Sequence, residues 1–168
     1  MTVDEGIEQA KALVKTHNHE AAFVLIDDLF RDHGEQPELW AIRAYVAANK
    51  RDYEAAEHAM GRAIHLEQWQ PEYFFTRGRY RLKSERFTEA VDDFTRTIEL
   101  CDHHRSDYYR ESAHFLRAEA YLALGMTDRA RVDCEHVRDE TTLWVDSVRS
   151  KKDILEDCDR KDQAALSE

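Results

Sequence analysis

A short sequence that occurs twice places the strongest constraint on the fold of this chain. Residues 36–40 read QPELW, and residues 70–74, which lie 34 positions later, read QPEYF. A period of this length is typical of stacked helical hairpins, in which each unit covers the apolar face of its neighbour. The repeat therefore predicts an all-α solenoid of antiparallel helix pairs.

Small residues recur at the same step along the chain. One series belongs to second helices and comprises Ala22, Ala56, Ala90 and, after 40 residues, Ala130. A second series belongs to first helices and comprises Ala10, Ala44, Gly78 and Ala118. Small side chains allow two helices to approach closely. Four hairpins are indicated, and the first is degenerate because Gly6 stands where later ones carry Trp40 and Phe74.

Apolar spacing and proline give the expected bounds of these hairpins. Proline suits the first turn of a helix, where its missing N–H costs no hydrogen bond, so Pro37 and Pro71 each mark the start of a repeat. We predict one domain over residues 1–168, with a degenerate repeat at 3–34, repeats at 37–68, 71–102 and 107–140, and a capping helix at 142–160.

The capping helix is predicted from a stripe of three apolar residues, Trp144, Val148 and Leu155. Its other positions are largely charged and include Asp146, Arg149, Asp153 and Glu156. A terminal helix with a polar outer face is what a solenoid needs at its end.

The charge of the chain argues against several classes of partner. The sequence has 35 acidic and 24 basic residues, and its net charge of -11 at pH 7 disfavours binding to nucleic acid. No apolar run approaches the roughly 20 residues that span a bilayer, and the amino terminus has no apolar leader. The three cysteines form no Cys-x-x-Cys pair. We expect a cytoplasmic protein that binds neither membranes nor nucleic acid.

Two clusters of histidines are candidate sites of metal or acid–base chemistry. His17 and His19 are close enough in sequence to share a cation, but His19 holds the position of Tyr53 and Phe87 in later repeats, which favours packing. Residues 101–104 read CDHH and are interpreted as a solvated turn after a helix that ends near position 100.

Motifs for phosphate binding and for hydrolysis do not occur in the sequence. Cys134 holds a packing position of a second helix, which predicts a buried and unreactive thiol. We therefore predict no catalytic residue, no metal site and no cofactor. A small metal-dependent enzyme that uses the histidines is the alternative from a different class.

The repeated residues resemble the tetratricopeptide repeat (TPR) family. Its pattern of large and small packing positions is matched by Trp40, Ala44, Tyr53, Ala56, Met60 and Ala63, and again by Phe74, Gly78, Phe87, Ala90 and Phe94. The family's closing proline is replaced by Gln68 and Asp102. The resemblance implies a right-handed superhelical solenoid whose first helices line a concave groove, and it implies a protein that binds another protein or peptide without catalysis.

The resemblance also implies which residues face the groove. Carried onto this chain, these positions are Glu38, Ile42, Tyr45, Asn49, Glu72, Phe75, Thr76, Arg79, Lys83, Phe115 and Glu119, with Ala41, Ser112 and Leu116 beside them. The aromatic residues among them are the expected anchors, although packing between helices is an equal alternative for Phe75 and Phe115. Glu38, Glu72 and Glu119 predict a basic partner.

One TPR subfamily holds the terminal carboxylate of chaperones, and four of its five clamp positions are not basic here. Of Ile7, Lys11, Ile42, Glu72 and Thr76, only Lys11 is basic, so that ligand is not expected. The architecture is also similar to that of bacterial secretion chaperones. A scaffold, a secretion or assembly chaperone, and an immunity protein for one basic client all remain open, as does the oligomeric state.

Overall fold

The computed structural model describes residues 1–144 and 147–167, except for the side chain of Trp144. The described chain contains nine α-helices: α1 Val3–Lys15, α2 His19–His33, α3 Pro37–Asn49, α4 Tyr53–Leu66, α5 Pro71–Lys83, α6 Phe87–His104, α7 Arg110–Ala123, α8 Thr127–Cys134 and α9 Lys151–Ala165. The first eight form four successive hairpins, and each hairpin packs on the next. Pro37 and Pro71 begin α3 and α5, as the sequence predicts.

Each hairpin turns through one residue in the left-handed backbone region. These residues hold equivalent places in the repeat, and they are His17, Arg51, Glu85 and Gly125, with φ angles of 59°, 60°, 59° and 74°. Only the last is glycine, the residue that adopts this conformation at no steric cost. In the turns after His17 and Arg51, Asn18 and Asp52 cap the following helix by accepting backbone N–H groups.

The core runs along the solenoid as three clusters of buried side chains. Its largest fully buried members include Phe94 and Phe115, which lie in the C-terminal cluster together with Ile154 and Cys158 of α9. Close approach of helices requires glycine at two places. A Cβ atom on Gly78 would lie 2.9 Å from Cε1 of Phe94, and one on Gly6 would overlap the side chain of Leu29.

The predicted capping helix at 142–160 is wrong over its first half. Residues Thr142–Trp144 form strand β1 and Val148–Ser150 form the antiparallel strand β2, with Leu143 opposite Arg149. Val148 is exposed instead of lying on an apolar face. Asp146, which was expected on the polar face of that helix, lies outside the described residues.

Helix α9 begins later than predicted because Ser150 is its N-cap. The hydroxyl of Ser150 accepts the backbone N–H of Asp153, and the Asp153 carboxylate accepts the backbone N–H of Ser150 at 2.7 Å. Such a capping box satisfies two N–H groups at once and fixes the first turn. Leu155 is partly buried against the core, as expected of an apolar residue in a capping helix.

Two further boundaries differ from the sequence prediction. Helix α6 continues to His104, so residues 101–104 are not a turn, and Cys101 is buried. The reason is that Phe94, Thr97, Ile98 and Cys101 keep helical spacing on one buried stripe. Helix α8 ends at Cys134, six residues before the end of the repeat predicted at 107–140, and Cys134 is buried as expected.

Within residues 1–144 and 147–167, no helix combines the length and the apolar character that a membrane span requires.

Candidate binding groove

The first helices of the hairpins form one face of the solenoid, and two neighbouring cavities lie along it. The N-terminal cavity has a volume of about 560 Å³ and lies between α1, α3 and α5. The C-terminal cavity has a volume of about 420 Å³ and lies between α3, α5 and α7. Both are open to solvent, and both are lined by Tyr45, Glu72, Thr76 and Tyr80. We call the two cavities together the groove.

Each cavity also has residues of its own. The N-terminal cavity is completed by Lys11, Val14, Lys15, Glu38, Ala41, Ile42, Met60, Gln70 and Tyr73. The C-terminal cavity is completed by Ala48, Asn49, Tyr53, Phe75, Arg79, Leu82, Lys83, Tyr109 and Leu116. Five tyrosines therefore line the groove, which combines aromatic surface with hydroxyl groups.

Nine of the eleven residues that the resemblance placed in the groove line these cavities: Glu38, Ile42, Tyr45, Asn49, Glu72, Phe75, Thr76, Arg79 and Lys83. Tyr45 is 49% exposed, whereas Phe75 is 9% exposed because its ring packs against Phe94 and Tyr109. Phe75 therefore fills space between helices and also contributes an edge to the cavity.

Phe115 and Glu119 do not line either cavity. Phe115 is fully buried in the C-terminal core cluster, so the packing alternative holds for this residue. The carboxylate of Glu119 accepts a hydrogen bond from Nε of Arg149 at 2.9 Å. Strand β2, which carries Arg149, thus neutralises the acidic residue that was expected at this end of the groove.

Several groove residues were missed by the sequence analysis. The repeat pattern assigns Tyr53 to packing between helices. Tyr80 and Tyr109 are not among the groove positions that the resemblance implies. Lys11 was named only as a clamp position and Lys15 was not named, although the two lie 34 positions before Tyr45 and Asn49. The degenerate match of the first repeat concealed this correspondence, yet α1 contributes to the N-terminal cavity as the later first helices do.

Burial keeps three of the groove tyrosines, Tyr73, Tyr80 and Tyr109, in their neutral form. Burial, followed by the charge of Glu72, raises the pKa of Tyr109 to about 12. Burial and the neighbouring Glu38 raise the pKa of Tyr73 as well, and burial raises that of Tyr80. The phenol groups at these positions can therefore donate hydrogen bonds to a ligand throughout the physiological pH range.

A buried ion network lies behind the C-terminal cavity and fixes the position of α5. Asp93 of α6 accepts hydrogen bonds from Arg77 at 3.0 and 2.7 Å and from Arg81 at 2.8 Å. Arg81 also approaches Glu57 of α4, which accepts a hydrogen bond from Arg86 at 2.6 Å. Because Arg77 and Arg81 directly follow Thr76 and Tyr80, these contacts also fix the orientation of groove residues.

The next hairpin repeats the arrangement. Arg117 donates to both oxygens of Asp133 at 2.8 and 2.7 Å, and Nδ1 of His114 lies 2.8 Å from the same carboxylate. Although burial acts in the opposite direction, the hydrogen bonds from Arg117 and His114 hold the pKa of Asp133 below its usual value. Asp133 therefore stays ionised and couples α7 to α8.

The histidine and cysteine clusters do not converge on a common point. Within the described parts of the chain, no group of three histidine, cysteine or acidic side chains is placed to hold a metal ion. The rings of His17 and His19 lie 5.8 Å apart in an edge contact. His104 is held by the backbone carbonyl of Trp69, at 3.0 Å from Nε2.

No protein-family model and no curated protein matches the sequence. Several solved structures match its fold. A crystal structure of MamA has a TM-score of 0.70 and 16% identity, over 96% of this chain and 76% of that chain. A double mutant of MamA RS-1 has a TM-score of 0.70 and 12% identity, over 99% of this chain and 97% of that chain. MamA AMB-1 has a TM-score of 0.67 and 18% identity, over 81% of this chain and 71% of that chain.

MamA is a TPR-containing protein, and the predicted TPR-like fold of this chain is therefore confirmed. At identities of 12 to 18% the similarity describes the fold alone. The use made of the groove is therefore a separate question.

Proposed function

We propose that this protein is a non-catalytic binding module that holds an extended segment of a partner protein in the groove. The observation that carries the proposal is the continuity of the two cavities. Tyr45, Glu72, Thr76 and Tyr80 line both, so one ligand can occupy the whole surface from α1 to α7. The TPR-like fold supports the same class of function.

The dimensions of the groove suit a short extended segment. Neighbouring helices pack about 8–10 Å apart, so the four first helices span about 25–30 Å. An extended chain covers this length with about eight residues. A segment of that size could place side chains in both cavities while its backbone amides meet the tyrosine hydroxyls and Asn49.

Tyr45 is the expected anchor at the centre of the groove. It lines both cavities, and about half of its surface is exposed. Tyrosine is among the residues that most often dominate binding energy, because it offers a large rigid surface and a hydroxyl at a small entropic cost. Its removal should therefore weaken any ligand that spans the two cavities.

The test uses a displayed library of random peptides of about nine residues, selected on the full chain. Peptides that survive selection are resynthesised, and their affinities are measured by fluorescence anisotropy. We expect Tyr45→Ala to weaken them by about tenfold or more. Tyr108→Ala is the matched control, because Tyr108 is 81% exposed and lines neither cavity. Equal affinities for the wild type and Tyr45→Ala would refute binding in the groove.

A dedicated chaperone or immunity protein for one basic client is a narrower version of the same function. It was predicted partly from Glu38, Glu72 and Glu119. Glu38 and Glu72 line the groove, but Glu119 is engaged by Arg149, which weakens the support for a basic client at this site. The proposal is therefore limited to a protein partner and does not require that partner to be basic.

A further inference from the structure

We propose that the segment held in the groove is acidic, and that its carboxylates bind along the edge formed by Lys15, Arg79 and Lys83. This inference rests on the proposed function and specifies the partner by its charge. It differs from the carboxylate clamp considered above, since none of these three residues holds a clamp position.

The lining of the groove and the whole chain have opposite net charge. Acidic residues outnumber basic ones by 35 to 24 in the sequence. In the groove the ratio is reversed, with the four basic residues Lys11, Lys15, Arg79 and Lys83 against the two acidic residues Glu38 and Glu72. A basic lining inside an acidic protein attracts an acidic ligand to this face and repels it from the others.

The charges of Lys15 and Arg79 are available to a ligand, whereas those of most arginines behind the groove are not. Arg79 and Lys15 form no ion pair with any residue of the described chain. Lys11 is paired with Glu8 at 2.7 Å, but both side chains are exposed and such pairs are weak. On the hairpin interfaces, by contrast, the charges of Arg77 and Arg117 are already balanced by Asp93 and Asp133.

The charged residues of the groove lie at particular ends of the first helices. Lys15 and Lys83 are in the last turns of α1 and α5, and Arg79 lies one turn before Lys83. Glu38 and Glu72 are in the first turns of α3 and α5. Cations and carboxylates thus occupy opposite ends of the first helices, and the cationic ends form one edge of the groove.

The aromatic floor complements this basic edge. Tyr53, Phe75 and Tyr109 line the same cavity as Arg79 and Lys83. A segment that alternates acidic and apolar or aromatic residues would direct its carboxylates to the edge and its apolar side chains to the floor. Such a pattern is compatible with an extended conformation, in which successive side chains point in opposite directions.

The experiment compares the charge of peptides selected from the random library described above. We expect enrichment of Asp and Glu over the starting library, and affinity that falls as ionic strength is raised. Replacing Asp and Glu by Asn and Gln in a selected peptide should weaken binding to the wild type. Arg79→Glu should weaken the acidic peptides by about tenfold.

Arg129→Glu is the matched control. It makes the same change in net charge, and Arg129 is exposed on α8 and lines neither cavity. We expect it to leave affinity within about twofold of the wild type. Circular dichroism of both variants separates a loss of binding from a loss of helix.

The outcomes separate this inference from the proposed function. If selected peptides are basic or unbiased in charge but still depend on Tyr45, the acidic segment is wrong and the groove function stands. If no peptide is enriched, or if binding does not depend on Tyr45, the groove function itself fails. If Arg79→Glu and Arg129→Glu weaken binding equally, the attraction comes from overall charge and not from the basic edge.

Discussion

Arg77 and Asp93 are joined by two hydrogen bonds, at 3.0 and 2.7 Å, between the two helices of the α5/α6 hairpin. The Asp93 side chain is 3% exposed and that of Arg77 is 19% exposed. Arg117 and Asp133 repeat this bidentate pair in the next hairpin at the same separation of 16 residues. Each pair sets the position of a first helix, and thereby of the groove residues that the helix carries.

Removal of Asp93 should strongly destabilise the fold. Asp93→Ala leaves Arg77 as a largely buried cation without a counter-charge and leaves Arg81 with only its longer contact to Glu57 at 3.5 Å. Breaking a buried pair in this way costs about 3–5 kcal/mol. Urea unfolding followed by circular dichroism measures the loss. Asp92→Ala is the control, because Asp92 is exposed on the same helix and should change stability by less than about 0.5 kcal/mol. A similar loss in both variants would contradict the role assigned to the network.

Glycine at a hairpin turn should stabilise the protein. Glu85 has a φ angle of 59°, in the left-handed region where a side chain costs about 1–2 kcal/mol. Glu85→Gly removes this cost but increases the freedom of the unfolded chain, so we expect a net gain of about 0.5–1 kcal/mol. The melting temperature should rise accordingly. Gly125→Ala is the reciprocal test at the equivalent turn, where φ is 74°. This substitution should lower the melting temperature.

Two glycines inside helices should respond oppositely to alanine. At Gly61 the nearest atom to an added Cβ is Nη1 of Arg77 at 3.8 Å, an ordinary contact. Gly61→Ala should therefore stabilise by about 0.5–1 kcal/mol through helix propensity. At Gly78 the added Cβ would meet the ring of Phe94 at 2.9 Å, so Gly78→Ala should destabilise by about 1–3 kcal/mol despite the same gain in propensity. Chemical unfolding measures the change in the free energy of unfolding of each variant. If both variants were more stable than the wild type, the ring of Phe94 would have moved to make room for the added Cβ.

The repeat frame explains why so much of the groove was predictable. Positions on α3 and α5 share one period of 34 residues, so Tyr45 and Arg79 could be placed on the same face without coordinates. The frame fails where its step changes. Before α7 the step is 40 residues, because the apolar stripe of α6 continues through Cys101. Phe115, which the resemblance placed in the groove, lies in the core instead.

The hairpin of β1 and β2 depends on contacts between distant residues, which a local pattern cannot reveal. Glu111 of α7 accepts hydrogen bonds from the backbone N–H of Arg138 at 3.0 Å and from the hydroxyl of Thr141. These contacts hold the chain against α7 as it leaves α8. The alternation of apolar and charged residues over 142–160 is compatible with a helix. However, Arg138 and Thr141, which precede β1, are bonded to Glu111, and α9 begins only after its N-cap, Ser150.

Glu111 should make the stability of the protein depend on pH in the acid range. Burial opposes ionisation, but the hydrogen bonds from Arg138 and Thr141 prevail and lower the pKa of Glu111 to about 2. Because the pKa in the folded state is below the unfolded value of 4.5, the contribution is fully present above about pH 4.5 and is lost as the pH falls toward 2.

Glu111→Gln should therefore lower stability at neutral pH by about 1–2 kcal/mol, a figure reduced for the partial exposure of the pair. It should also flatten the decline of stability between about pH 4.5 and pH 2, since an amide does not titrate. Urea unfolding at a series of pH values measures both effects. Glu140→Gln is the control, because Glu140 is exposed beside the same segment. If the two variants and the wild type show parallel pH profiles, Glu111 does not anchor the chain that leads into β1.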